Sequence, residues 1–360
     1  MKPLHIRSNI RDYSVYFEQD FAFLQRFSQI PDKVVIVDGV VHDLYPSLVN
    51  DNFTAEEILR LEAVERNKDF SQVSEIYEFL IRRQAKKNLT IISIGGGITQ
   101  DVTGFIASTL YRGVPWLFVP TTLLAQTDSC IGSKTSLNFK TYKNLIGTFY
   151  PPHAVYINPA FLTTLSREDF SSGFGESVKL QIMKEEYPKD IDALERTLSR
   201  DRADLEGMLT LIRDCLEVKI GYMQEDEFDQ GKRNLLNYGH TVGHAVEASS
   251  DYAVPHGTAV VIGMIFANII SLHRGLLGQN EFDRIASRLM LPSIPVRLSG
   301  EYFGREPLIS GLRSDKKRIG KDFTFIIPDS SLKLIRVDDV KEEEFDRALI
   351  ELRRILRPLS

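Results

Sequence analysis

The chain has 360 residues, 43% of them hydrophobic and 26% charged, and carries a formal net charge of −5. That length exceeds what one hydrophobic core usually serves, so two domains are expected, and mild acidity without a long basic run argues against a nucleic-acid partner. Cys130 and Cys215 are the only cysteines, too few for a disulfide framework or a four-cysteine zinc site, and a reducing cytoplasm is the expected setting.

The opening stretch MKPLHIRSNIRDYSVYF lacks the apolar core of a signal peptide. Residues 34–39, VVIVDG, form a β-branched run closed by Asp38 and Gly39 and read as a fully buried parallel strand. A helical stretch is expected over 54–86, a second buried strand in TIISIGGG at 90–97, a helix in DVTGFIASTLY, and a third strand in PWLFVPTT at 115–122. Strand and helix alternate, which predicts an α/β domain with a parallel sheet.

Gly95, Gly96 and Gly97 stand at the carboxyl end of a strand and open a helix. There main-chain N–H groups and the helix dipole can take a diphosphate, and Thr121 and Thr122 end the next strand near the same edge. The triplet is not a GxGxxG fingerprint, and a plain tight turn also explains it. Residues 123–150 combine Asp128, Lys134, Lys140, Lys143 and Asn144 with glycines and apolar residues, which suggests a lined anion-binding cleft in place of a solvated face. Arg112, in LYRGVPW, offers a planar fork for carboxylate or phosphate.

From about residue 160 the strand signals fade, and a domain boundary is placed there: 1–160 as the α/β domain, 161–360 as a mainly helical one. Glu176 and Lys179 lie one helical turn apart among small and apolar residues. A carboxylate in such a place needs a partner or a metal. Residues 202–223 read as another helix, containing Lys219, and EDEFDQGKR at 225–233 reads as a connector. Three of the seven histidines, His240, His244 and His256, then fall within 17 residues. His240 and His244 share a helical face, with Arg233 and Asn237 extending that side upstream, and His256 stands in the turn-like PHG. Two imidazoles from this set plus Glu176 would give three protein ligands and an open coordination position, as in catalytic zinc sites. Residues 259–271, AVVIGMIFANIIS, are shorter than the ~20 residues that span a bilayer, so they read as a buried helix and no membrane association is expected.

Taken together, SIGGGITQDVTGF, YRGVPWLFVPTTLLAQTDSCIGSKT, KNLIGTFY, GESVK, RNLLNYGHTVGHAVEA, PHGTAV and SDKK follow one another in an order and spacing that resemble the 3-dehydroquinate synthase family of sugar phosphate cyclases. The resemblance runs from about residue 34 to about 328. It implies an N-terminal Rossmann-like α/β domain that binds NAD, an all-helical C-terminal domain that binds metal and substrate, and a homodimer. It implies a divalent metal, Zn2+ or Co2+, on Glu176, His240 and His256, so the second histidine of GHTVGH would meet substrate where spacing alone favoured it as a ligand. The other matching active-site positions are Arg112, which would reach the neighbouring subunit's site, Asp128, Lys134, Asn144, Lys179, Lys219, Arg233, Asn237, His244 and one of Lys316 or Lys317. NAD contacts implied by the resemblance are Asp38, Glu65, Lys68, Gly97, Asp101, Thr121, Thr122, Lys143, Phe161 and Thr164, to which the reading of the glycine turn adds Gly95 and Gly96.

Several positions depart from the family's common pattern. Gln100 and Ser133 stand where glycines are frequent, Thr258 stands where a glutamate is frequent, and AVERNK lacks the usual glycine before Glu65. The implied substrate is a phosphorylated sugar acid, 3-deoxy-D-arabino-heptulosonate 7-phosphate, converted to 3-dehydroquinate and phosphate. Cyclases that act on other sugar phosphates and metal-dependent polyol dehydrogenases are the rival readings.

Overall fold

The computed structural model describes residues 1–140, 142–184, 190–199, 201–295, 297–313 and 322–357. The chain divides into two compact units: Met1–Leu165 with Arg202–Thr210 and Met223–Phe228, and Ser166–Asp201 with Leu211–Tyr222 and Asp229–Ser360.

The first unit is built on a seven-stranded sheet. Its strands are β1 (Leu4–Ile6), β2 (Tyr13–Phe17), β3 (Lys33–Asp38), β4 (Ile58–Leu61), β5 (Thr90–Gly95), β6 (Trp116–Pro120) and, after the hairpin strands β7 (Lys134–Phe139) and β8 (Tyr142–Phe149), β9 (Ala154–Ile157). The spatial order is β1-β2-β9-β6-β5-β3-β4, parallel throughout except for β1 against β2. The runs VVIV and IISI are buried on both faces because parallel strands are covered on both sides. Val35, Val37, Ile92, Ile94 and Val119 join Phe23, Leu24, Phe27 and Phe161 in one core cluster.

Three sequence expectations change here. The helical stretch expected over 54–86 divides into β4, a short turn of 3-10 helix at Glu65–Asn67 and a helix at Phe70–Arg82, whose start is fixed by the Asp69 carboxylate accepting from the Ser71 and Gln72 N–H groups. Pairing of β4 with β3 overrides the local helical pattern. Residues 134–149, read as cleft lining, form the antiparallel β7–β8 hairpin, which stands apart from the main sheet. Strands β1, β2 and β9, which carried no recognised signal, complete one side of that sheet.

The second unit is largely helical. Its axis is the helix His256–His273, buried along nearly its whole length, with the helices Arg167–Ile182, His240–Ser249 and Glu342–Leu356 against it. By length and composition this helix could cross a membrane, so the short count made over 259–271 understated it, but 83% of its apolar window is buried inside the protein. An all-helical unit was expected; one hairpin, β10 (Phe323–Pro328) with β11 (Leu334–Val340), is also present. Phe266 of the central helix meets Phe325 of β10 at 5.6 Å and Phe345 of the last helix at 5.0 Å, tying both to the core.

Trp116 is the only tryptophan and lies buried in β6, beside β5, so its fluorescence reports the first unit. Ile92→Ala, in the centre of β5, is expected to cost about 2–5 kcal/mol in urea unfolding followed by that fluorescence. Ile81→Ala, at a side chain 70% exposed, should stay within about 0.5 kcal/mol. Equal losses in the two variants would contradict this placement of the core.

Candidate active site

In the first unit β3 leads to β4 on one side, whereas β5 lies on its other side and leads towards β6. Connections leaving in opposite directions open a crevice at the carboxyl ends of β3 and β5, the usual ligand position in open α/β sheets. Asp38 ends β3 and caps the next helix by accepting from Val40 N–H at 2.9 Å. Gly95 ends β5, Gly96 caps and Gly97 begins the helix Gly97–Thr109. A Cβ on Gly95 would stand 2.4 Å from Thr99 Oγ1, and one on Gly96 would stand 2.9 Å from Thr122 Cγ2. Packing therefore keeps Gly95 and Gly96 bare. Thr121 N–H donates to Gly95 O at 3.0 Å, and Thr122 Oγ1 accepts from Ala125 N–H at 3.2 Å, so both threonines line the same edge.

Several expected residues meet in one polar network. Lys68 Nζ lies 2.5 Å from Asp101 Oδ2 and donates to Asn144 Oδ1 at 2.7 Å. Ser136 donates to Asp101 through both N–H and Oγ, each at 3.0 Å. Glu65 accepts from Asn138 Nδ2 at 2.8 Å and lies 3.7 Å from Lys143 Nζ. Burial pushes the Asp101 carboxyl above its ordinary range in spite of Lys68 and the Ser136 donors. This network ties residues 65–68 and the Gly97–Thr109 helix to the β7–β8 hairpin. Phe161 differs from the others, since its side chain sits in the core against Phe21 and Tyr45. Thr164 Oγ1 is hydrogen-bonded with the Tyr45 hydroxyl at 2.9 Å.

Asp128 lies in the π-helical turn Ala125–Ser129. Gln100 is locked to that turn: its amide donates to Ser129 O and its carbonyl accepts from Ser129 Oγ, both at 2.6 Å. Lys134 is exposed at the start of β7. Ser133, just before it, adopts φ +63°, and its hydroxyl donates to Glu227 Oε1 at 3.2 Å. Arg112 is exposed in a turn where Tyr111 and Arg112 both have left-handed backbone.

The second unit gathers the histidines around a buried acid. Glu176 and Lys179 lie on the helix Arg167–Ile182, their side chains 1% and 2% exposed, with Lys179 Nζ 2.5 Å from Glu176 Oε2. His240 Nε2 and His256 Nε2 each stand 3.5 Å from Glu176 Oε1. The histidine helix starts only at His240, because Gly239 takes φ +78° and separates it from the 3-10 turn Lys232–Asn237 that carries Arg233 and Asn237. A Cβ on Gly239 would also lie 2.4 Å from Val260 O. His256 is not in a loop; it is the first residue of the central helix.

Charges follow from this packing. Burial would raise Glu176, but the Lys179 ammonium and the two imidazoles hold it well below the ordinary carboxylate range. Burial, helped by Lys179, holds His240 well below the usual imidazole range. His256 feels the same burial, yet the neighbouring Glu176 and Glu247 carboxylates push it up to about 10.

The set fits a divalent metal. Ligand-capable atoms of Glu176, His240 and His256 lie within 4.8 Å of one another. Neither Glu176 oxygen is in hydrogen-bonding geometry with a donor among the described residues. His240 Nδ1 is 3.1 Å from Tyr238 O, an arrangement that uses the Nδ1–H as donor and leaves the Nε2 lone pair towards Glu176. His244, exposed on the same helix, lies outside this trio, although its ring is 5.4 Å from that of His240 and 5.9 Å from that of His256. Spacing alone favoured His244 as the partner of His240, but the ligand-capable atoms that gather on Glu176 are those of His240 and His256.

Three buried cations, Lys179, Lys219 and Arg233, lie in the same unit. Lys179 Nζ donates to Leu236 O at 3.1 Å, joining Glu176's helix to the turn that holds buried Arg233. Buried Lys219 lies one turn beyond Cys215, whose sulfur contacts Gln181 of Glu176's helix. Asn237 Nδ2 donates locally to Asn234 O at 3.0 Å. Lys316 and Lys317 lie outside the described residues. Sequence reasoning missed Glu247, a buried acid bonded to His256 at 3.1 Å. Its signal was present, since 240, 244 and 247 share one helical face.

Known proteins resemble this chain over most of its length. The family models described as 3-dehydroquinate synthase N-terminal and 3-dehydroquinate synthase C-terminal match residues 58–172 and 173–318. The 3-dehydroquinate synthase of Desulforamulus reducens is 34% identical over 318 residues, covering 86% of this chain and 88% of that one. The chain belongs to the 3-dehydroquinate synthase family. Among solved structures, a 2-deoxy-scyllo-inosose synthase complexed with carbaglucose-6-phosphate, NAD+ and Co2+ is 25% identical, with a TM-score of 0.83 over 97% of this chain and all of that one. A 2-epi-5-epi-valiolone synthase from Streptomyces hygroscopicus with NAD+ and Zn2+ bound, also 25% identical, gives 0.84 over 98% and 99%. Against the family pattern, Gln100 and Ser133 have both found local partners, whereas the Thr258 hydroxyl is buried without a hydrogen bond among the described residues.

The closeness of Glu176 and His256 rests on their glycine neighbours. A Cβ on Gly175 would lie 2.2 Å from Gly257 O, and one on Gly257 only 1.7 Å from Ser172 O. Gly257→Ala is expected to lower stability by about 1–3 kcal/mol and to reduce zinc retained after dialysis, measured by elemental analysis. Unchanged stability and zinc content would show that this contact does not hold the pair together.

Proposed function

We propose that the chain is a 3-dehydroquinate synthase, a phosphate-eliminating carbon–oxygen lyase that converts 3-deoxy-D-arabino-heptulosonate 7-phosphate to 3-dehydroquinate and phosphate. The observation that carries this reading is the buried trio Glu176, His240 and His256 in the same unit as three buried cations, Lys179, Lys219 and Arg233, in a chain matched by both halves of the family. A substrate with a carboxylate and a phosphate suits such a cationic unit. An uncharged polyol has no use for it.

In this reading Asp38, Glu65, Lys68, Gly95, Gly96, Gly97, Asp101, Thr121, Thr122, Lys143, Phe161 and Thr164 hold NAD along the carboxyl edge of the sheet. Glu176, His240 and His256 hold Zn2+ or Co2+. When bound, NAD supplies a reversible hydride acceptor and the metal a Lewis acid at the hydroxyl being oxidised. The chain's own groups do the rest. Arg233 takes the substrate carboxylate, because a guanidinium meets it with two parallel hydrogen bonds. Lys219 and Lys179 add charge on the same side, and Lys179 keeps Glu176 ionised. Within the second unit His244 serves phosphate oxygens and proton transfer as phosphate leaves, with Asn237 orienting hydroxyls. The Asp101–Lys68–Ser136 network steadies Asn144.

The same reading makes the protein a cytoplasmic homodimer in which Arg112, exposed in its left-handed turn, serves the neighbouring copy's site. A second reading, a cyclase for another sugar phosphate, is favoured by the two solved relatives named above. The 34% identity to a 3-dehydroquinate synthase weighs against it.

Purified protein supplied with zinc and NAD is expected to release phosphate from the heptulosonate phosphate without net NADH, and not from sedoheptulose 7-phosphate or glucose 6-phosphate. Release from one of the latter would move the protein to another cyclase reaction. NADH accumulating on polyols would make it a dehydrogenase. His240→Ala should lose both zinc and activity with circular dichroism unchanged; full zinc content in that variant would remove His240 from the ligand set.

A further inference from the structure

We propose that Glu247 is a positioning residue for metal binding, holding the His256 imidazole so that its Nε2 faces Glu176. The inference rests on the metal reading of Glu176, His240 and His256 given above. Glu247 Oε2 lies 3.1 Å from His256 Nδ1 while His256 Nε2 lies 3.5 Å from Glu176 Oε1, so one ring is addressed by a carboxylate at each nitrogen. A proton on Nδ1 shared with Glu247 leaves the Nε2 lone pair for a cation, and the carboxylate makes that nitrogen a stronger donor. His240 reaches the same outcome through a neutral partner, the Tyr238 carbonyl at 3.1 Å.

The two imidazoles need different supports. His240 is the more enclosed ring, its side chain 15% exposed against 33% for His256. His256 opens its helix and is the ligand with more room to turn, and Glu247 limits that freedom. Glu247 is itself fixed. It is buried near the end of the helix His240–Ser249, and its carbonyl accepts from Tyr252 N–H at 2.8 Å and from Ser250 Oγ at 3.1 Å. From the other side, Gly257 N–H donates to Ser172 Oγ at 3.1 Å, pinning the main chain next to His256. His240, His244 and Glu247 thus place a ligand, a substrate group and a support on one helical face.

Glu247 also stands within reach of a different grouping, His244, Glu247 and His256, whose ligand-capable atoms lie within 4.8 Å of one another. That grouping lacks the fully buried Glu176, and the experiment separates the two. Zinc affinity would be measured by chelator competition on full-length wild type, Glu247→Ala, Glu247→Gln and Glu176→Gln, with Co2+ absorption spectra and thermal unfolding of the metal-free proteins in parallel. Glu247→Ala is expected to bind zinc about 10- to 100-fold more weakly, to reach the wild-type stoichiometry at saturating zinc, and to keep the wild-type Co2+ spectral pattern. Glu247→Gln, whose amide oxygen still accepts from Nδ1–H, should recover part of the loss. Affinity of Glu247→Ala within about twofold of wild type would overturn the inference. So would loss of stoichiometric zinc and of the Co2+ spectrum to the extent seen in Glu176→Gln, because Glu247 would then be a ligand. Wild type that binds no zinc would overturn the metal reading itself, whereas wild-type binding with an indifferent Glu247→Ala would overturn this inference alone.

Discussion

The second unit depends on two helices meeting backbone to backbone at Gly175 and Gly257. No side chain fits at either position, since the nearest carbonyl oxygen would lie 2.2 Å or less from an added Cβ. The residues that follow and precede these glycines are Glu176 and His256, so the close approach itself brings acid and imidazole to 3.5 Å. A carboxylate buried to this degree is costly unless paired. Lys179 and the two histidines provide that pairing, and Gly239 allows His240 to arrive by breaking the chain into a new helix immediately before it.

Buried charge is handled differently in the first unit. There Lys68 and Asp101 are compensated by each other, by Ser136 and by Asn144, and the partners come from three separate segments. Such a network is stable only when each member is satisfied, which makes the hairpin and the helix behind the glycine turn one mechanical element. The departures at Gln100 and Ser133 fit this pattern, because each larger side chain has found a hydrogen-bond partner nearby, Ser129 in one case and Glu227 in the other. Thr258 has not, and nothing in the structure explains its presence.

Much of the architecture was legible in local pattern. Apolar β-branched runs closed by Asp38 and by Gly95 marked buried strands because parallel strands are covered on both faces. Clustering of histidines and the apolar setting of Glu176 marked a metal-capable centre. The pattern failed where pairing partners lie far away in sequence. Residues 58–61 looked helical and became an edge strand beside β3, and the lysine-rich stretch after Ser133 became a hairpin.

The sequence by itself determined which chemical groups are available and which segments have the periodicity to carry them: the α/β first half, the helical second half, the three histidines, the acid at Glu176 and the cations of the same half. Only the tertiary structure decided how they combine. It set His256 beside Glu176 in preference to His244, joined Lys68 to Asp101 and Asn144, and brought Glu247 behind His256. The reason is geometric. Helical spacing fixes what shares a face of one helix, whereas distance between helices is set by side-chain volume at their contact, and here that volume is reduced to hydrogen at two glycines.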